Sequence, residues 1–89
     1  MTKKLNEGFT TAQVAVTTSA AIVVPAAAGR DTVLLYNSGS APAYLGNSSG
    51  VTSSTGFPLP AGASITMEAT ADIYAIGAAA TTIAVLSEA

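Results

Sequence analysis

The side chains in this sequence that could do chemistry are few. They include the carboxylates of Asp31, Glu68 and Asp72, the many Ser and Thr hydroxyls, and the amines of Lys3 and Lys4. A hydroxyl nucleophile needs a base within hydrogen-bond reach, and His, the commonest such base, is absent. A Ser–Lys pair would have to recruit Lys3 or Lys4 from the extreme N-terminus. Glu68 and Asp72 are the best pair for glycosidase-type acid–base work, yet they flank a turn, where solvated acids are the ordinary finding. The acids also lack the dense Asp/Asn/Gly spacing of a calcium loop. The chemistry-bearing residues therefore predict no catalytic set, no metal site, no cofactor and no small-molecule substrate. The chain is read as a non-enzyme.

Weaker patterns point the same way. Gly46-Asn47-Ser48-Ser49-Gly50 has the outline of a phosphate-cradling loop but lacks the Lys-Ser/Thr ending and the helix that such a loop needs. It reads as a plain turn. Asn47-Ser48-Ser49 also matches the N-glycosylation sequon, a three-residue signal meaningful only in a secreted eukaryotic protein. Tyr36, Tyr44, Phe57 and Tyr74 could form a sugar-stacking platform, but the reading preferred here is core and rim packing with each Tyr hydroxyl at the surface. Arg30-Asp31 reads as a solvated neighbour pair.

The elements that would position these residues are short and β-like. Gln13 to Thr17 alternates, with Val14 and Val16 on one face, and Ala21 to Val24 is a β-branched run stopped by Pro25. Thr32 to Tyr36 is apolar on both faces, as in the central strand of a packed sandwich. Asn37-Ser38-Gly39-Ser40 is turn chemistry, and Pro42 to Leu45 returns after it, predicting a hairpin. A polar loop from Gly46 to Gly56 follows, long enough to be functional or mobile, with Tyr44-Leu45 and Phe57-Leu59 as its anchors. Phe57 to Pro60 is extended by its prolines. Ala63, Ile65 and Met67 alternate with polar residues, Ile73 and Ala75 oppose Tyr74 and Ile76, and Ile83 and Val85 face inward from the last strand.

About eight short antiparallel strands at roughly ten-residue spacing, with no amphipathic helix, predict an all-β fold: a small single-domain β-sandwich, jelly-roll-like or a barrel. Residues 1–11 carry no regular period and read as an N-terminal arm, with residues 12–89 as the sandwich domain. Lys3, Lys4, Leu5 and Phe9 are the candidate contact residues of that arm.

Composition narrows the function. The chain has 89 residues, of which 9% are charged, against roughly 25% in an average soluble domain. Its surface must be covered by Ser, Thr, Ala and Gly, without the charge repulsion that keeps monomers apart. That suits a protein living in an assembly. A net charge of −2 with three basic residues cannot form the stripe that neutralises phosphates, so nucleic-acid binding is not expected. No run approaches the ~18 apolar residues of a membrane span. Lys3-Lys4 followed by an apolar run to Pro25-Ala26-Ala27-Ala28 imitates a signal peptide, but the strand-like alternation and the intervening Asn6, Glu7 and Gln13 argue against one.

The segment from Asn37 to Ile76 carries a resemblance. Asn37-x-Gly39, Ala43-Tyr44-Leu45-Gly46, Gly56-Phe57-Pro58-Leu59 with Ala61-Gly62, and Asp72-Ile73-Tyr74-Ala75-Ile76 resemble small virion proteins of tailed bacteriophages, of the capsid decoration (cement) or head-fibre type. The resemblance covers a little under half the chain and rests on turns and anchors. It implies a non-enzymatic β-sandwich on the capsid exterior that binds the major capsid protein and stabilises the capsid, often as a homotrimer. The alternative is a carbohydrate- or cell-surface-binding module of a phage fibre or bacterial adhesin. A secreted, pilus-like polymer subunit is a third reading.

Overall fold

The structure is a computed structural model and describes residues 8–88. Eight strands make up the described chain: β1 (Phe9–Val16), β2 (Ala21–Val24), β3 (Val33–Asn37), β4 (Ala43–Gly46), β5 (Phe57–Leu59), β6 (Ser64–Met67), β7 (Ile73–Gly77) and β8 (Thr81–Glu88). They form two antiparallel four-stranded sheets, sheet A in the order β1-β8-β3-β6 and sheet B in the order β2-β7-β4-β5. The expected all-β sandwich is the observed fold.

The pairing is nested. β4 pairs with β5, β3 with β6, β2 with β7 and β1 with β8, so the chain behaves as one long hairpin whose tip is the loop after Gly46. Successive pairs fall in alternate sheets, and the β3–β8 and β4–β7 ladders weld the rolled-up hairpin shut. This is the jelly-roll order, a double-sheet arrangement of antiparallel strands. The order corrects one expectation. β3 and β4 are not a hairpin: the chain leaves sheet A after Asn37 and enters sheet B at Ala43. The two-residue period explains why. Val33 and Leu35 on the inner face of sheet A and Ala43 and Leu45 on the inner face of sheet B share one core, as facing sheets allow.

Alternation then fixes the core. Val33 and Leu35 of β3, Ile83 and Val85 of β8 and Val16 of β1 point inward from sheet A. Ala43, Leu45, Leu59, Ile73 and Ala75 meet them from sheet B. In β2 a bulge between Ile22 and Val24 lets the successive residues Val23 and Val24 both bury. The loop between β4 and β5 is held from inside by Val51, which is buried, as are its flanking Leu45 and Leu59. Phe57, expected as an anchor of that loop, is 57% exposed instead.

The loops divide by charge. At one end lie the β1–β2, β3–β4, β5–β6 and β7–β8 connections, built from Ser, Thr, Ala, Gly and Pro. Every charged residue among those described falls at the other end: Arg30 and Asp31 between β2 and β3, Glu68 and Asp72 between β6 and β7, and Glu88 closing β8.

Candidate interaction surfaces

Two contact networks hold the ends of the sandwich and thereby shape its surfaces. At the uncharged end Asn37 is fully buried. Its Nδ2 donates to the carbonyls of Ala41 (2.8 Å) and Leu59 (2.9 Å), while its Oδ1 accepts from the Thr81 hydroxyl (2.8 Å) and the Gly39 amide (3.1 Å). Gly39 approaches so closely that a Cβ there would overlap Thr81 Oγ1 and lie 2.6 Å from the Thr82 backbone nitrogen.

At the charged end Arg30 does the corresponding job. It is only 6% exposed, so the reading of Arg30-Asp31 as a solvated pair is corrected for the arginine. Its Nε donates to the Ala69 carbonyl (2.8 Å), and its two terminal nitrogens donate to Pro25 (2.8 Å) and Ala71 (2.9 Å). Asp72 reciprocates, its Oδ1 accepting from the Ala26 amide at 2.7 Å, and the Ala27 amide reaches the Thr70 carbonyl at 2.9 Å. A planar fork of donors suits several fixed carbonyls at once. Arg30 therefore staples the β2–β3 and β6–β7 loops together.

On that frame, the outer face of sheet A mixes apolar side chains with Thr, Ser and Gln, and no described element covers it. Leu34 and Tyr36 project outward from β3, Leu34 lies directly across from Leu86 of β8, and Tyr36 lies across from Ala84. Thr11 and Gln13 of β1 continue the face, lining with these residues a shallow groove of about 510 Å³. Tyr36 is 42% exposed, and Phe9, at the start of β1 opposite Glu88, is 61% exposed. The expected core placement fails for Tyr36 and Phe57. Tyr44 and Tyr74 are half-buried on the outer face of sheet B, beside Ile76 and Ile22.

Of the four expected contact residues, Lys3, Lys4 and Leu5 lie outside the described residues. Phe9 does not sit on a separate arm: it opens β1, and Phe9, Thr10 and Thr11 pair with Glu88, Ser87 and Leu86. Sequence reasoning missed the outward Leu34 and Leu86. The available signal is the two-faced apolar run Thr32 to Tyr36, a pattern that by itself predicts cover on both sides. β3 is central within its sheet, but only its inner face is covered by the described chain.

The described residues contain no group of three or more His, Cys, Asp or Glu placed to hold a metal ion. The Gly46–Gly50 stretch runs from the last residue of β4 into the β4–β5 loop, where the Val51 amide closes a turn on the Ser48 carbonyl at 3.2 Å. In comparisons with known proteins, no family model, no curated protein and no solved structure matches this chain.

Proposed function

We propose that the protein is a non-enzymatic structural component of a bacteriophage virion that binds the outside of the capsid and stabilises it. One observation carries most of the weight: the outer face of sheet A presents Phe9, Leu34, Tyr36 and Leu86 with no charged residue among them except Glu88 at its end. Large apolar side chains left partly or largely open on one face of a small domain suit a surface that is covered by protein. Its edges also fit assembly, since the uncharged loops at one end offer no repulsion to close neighbours.

On this reading the face of sheet A is shared between copies in a homotrimer or laid on the major capsid protein. Stabilisation is linkage: a protein that binds the assembled lattice better than free subunits shifts the equilibrium toward the lattice. The jelly roll occurs in viral capsid and lectin domains alike, so the fold is compatible with the reading and does not select it.

A second reading has its own observation. Tyr44 and Tyr74 lie half-buried on the outer face of sheet B, and sugar rings stack on such aromatics, so a carbohydrate- or cell-surface-binding module of a fibre or adhesin is the alternative. Mass spectrometry of purified virions from the phage that encodes the chain separates the two. Decoration predicts a copy number commensurate with the major capsid protein and loss of particle stability when the gene is deleted. Absence from the particle would overturn it, and a glycan-array signal abolished by Tyr44→Ala or Tyr74→Ala would favour the alternative.

A further inference from the structure

Each sheet has two edge strands, and three of the four edges carry features that discourage further pairing. The Ala78 amide donates to the Pro42 carbonyl (3.1 Å), so even-numbered residues of β4 bond β7 and odd-numbered ones bond Phe57 and Leu59 of β5. Pro58 therefore turns to the open edge a nitrogen that carries no hydrogen. The Asn37 amide donates to the Ala63 carbonyl (2.9 Å), which leaves β6 only Ser64 and Thr66 facing outward, just before Glu68. β2 is four residues long, bulged and stopped by Pro25. Shortness, proline, bulges and charge are the means by which sheets block edge-to-edge association.

The fourth edge, β1, has none of them. It runs eight residues, Phe9–Val16, with no proline, glycine, charge or register shift. The Ser38 amide donates to the Thr82 carbonyl and the Glu88 amide to the Thr32 carbonyl, both at 2.9 Å, so β8 bonds β3 through its even-numbered residues. Its odd-numbered residues bond Thr10, Ala12, Val14 and Val16 of β1. The N–H and C=O groups of Phe9, Thr11, Gln13 and Ala15 point away from the sheet, and no other described residue bonds them.

β1 is also its own complement. Antiparallel pairing with a second copy about Ala12 sets Phe9 opposite Ala15 and Thr11 opposite Gln13, which uses all four open residues of each strand. On the inner face Thr10 then meets Val14, a β-branched pair. Thr10 and Ala12 are exposed, whereas Val14 is half-buried and Val16 buried, so the uncovered half of each strand adjoins the covered half of the other. Charge favours the same arrangement. β1 starts beside Glu88, at the end that holds Asp31, Glu68 and Asp72, and finishes beside Thr81 at the uncharged end. Antiparallel pairing sets the acidic end of one copy against the uncharged end of the other, whereas parallel pairing would gather the acids.

We propose that the β1 edge is a two-fold interface through which two copies join their A sheets into one continuous sheet, with Ala12 on the symmetry axis. Such an interface is self-complementary, as two-fold contacts must be. It uses the edge of sheet A and not its outer face, so the inference stands or falls apart from the virion reading.

The sequence has no Cys, so Ala12→Cys in the full chain supplies a single thiol. Across the axis it meets its own copy at a position where Cα atoms lie about 4.5 Å apart, within reach of a disulfide. Mild oxidation should link Ala12→Cys into a dimer several-fold faster than Thr11→Cys, which lies opposite Gln13 and two residues out of step with its own copy. In sedimentation equilibrium the unaltered protein should dimerise with rising concentration. The double variant Thr11→Lys/Gln13→Lys sets like charges directly opposite and should be monomeric, whereas Thr11→Glu/Gln13→Lys sets opposite charges there and should still dimerise. Both positions are exposed, so the melting temperatures of the two variants should agree. A monomer at every concentration, equal oxidation of the two cysteine variants, or equal association of the two charge variants would overturn the proposal. A trimer unaffected by the double-lysine change would also overturn it, by assigning association to another surface.

Discussion

Asn37 and Leu59 are joined by a hydrogen bond of 2.9 Å from the Asn37 carboxamide nitrogen to the Leu59 carbonyl, so the last residue of β3 in one sheet holds the last residue of β5 in the other. The same side chain reaches the β3–β4 turn through Gly39 and Ala41 and the start of β8 through Thr81. Its backbone adds bonds to Ala63 and Gly62 in the β5–β6 turn. Side chain and backbone of Asn37 together tie the β3–β4 turn, the β5–β6 turn and the start of β8 to one residue.

The first prediction follows from that convergence. Asn37→Ala strands the Thr81 hydroxyl and the Leu59 carbonyl away from water and takes their partner from the half-buried Gly39 amide and Ala41 carbonyl, and each buried group left unsatisfied costs about 1–3 kcal/mol. The variant should lose at least about 3 kcal/mol in urea denaturation, a large share of the total for a domain of this size. Thr81→Val removes one partner and should cost about 1–2 kcal/mol. The two changes act on a shared bond, so the double variant should lose less than the sum of the single losses. Additive losses would show that the bond contributes nothing.

Gly39 and Gly62 separate two reasons for glycine. Gly39 is pressed against the Thr81–Thr82 backbone, whereas Gly62 has open space around its Cβ position but φ of +82°. Gly62→Ala should therefore cost only the backbone preference, about 1–2 kcal/mol. Gly39→Ala must move β8 or the turn and should cost more, with chemical-shift changes reaching Thr81, Thr82 and Asn37. Thermal melts of the two variants, measured side by side, check the order.

Arg30→Lys keeps the charge but replaces a planar fork by a point donor. It cannot hold the carbonyls of Pro25, Ala69 and Ala71 together. The expected outcome is local rather than global. Amide exchange at Ala26 and Ala27, which donate to Asp72 and Thr70 across the same junction, should accelerate at least tenfold, about 1.4 kcal/mol of local stability. Amides of Leu35 and Ile83 at the centre of sheet A should keep their protection. Unchanged exchange at Ala27 would mean that the staple is dispensable.

What could be read from the sequence divides along physical lines. The strands were legible because alternation is local: Ile73 and Ala75 against Tyr74 and Ile76 is visible in five residues and is what the structure has. Asn37 was legible as a turn residue by its type, but its burial was not, since its partners Leu59 and Thr81 are 22 and 44 positions away. Arg30 was misjudged for the same reason: two of its three acceptors come from the β6–β7 loop, 39 and 41 residues on. The absence of a β3–β4 hairpin was equally hidden, because turn chemistry cannot tell a reversal within a sheet from a step between sheets. Tyr36 and Phe57 carried no local sign of exposure. An aromatic on a strand looks the same whether its face is covered by the chain, by a partner or by water.

That last ambiguity yields the most decisive prediction. Tyr36→Ser and Phe9→Ser change outward side chains that are 42% and 61% exposed, and substitutions at such surface positions usually alter stability by no more than about 0.5 kcal/mol. If the outer face of sheet A is the face that assembles, the same variants should lose most of their capsid occupancy and dissociate a homotrimer in size-exclusion chromatography with light scattering. The pairing of an intact fold with lost association is the diagnostic result, because a packing role would instead lower the melting temperature. Pro58→Ser on the outer face of sheet B, opposite Tyr44, serves as the control and should leave association unchanged. Variants of sheet A that bind capsids normally, with loss confined to the sheet B variant, would move the interface to the other face of the sandwich.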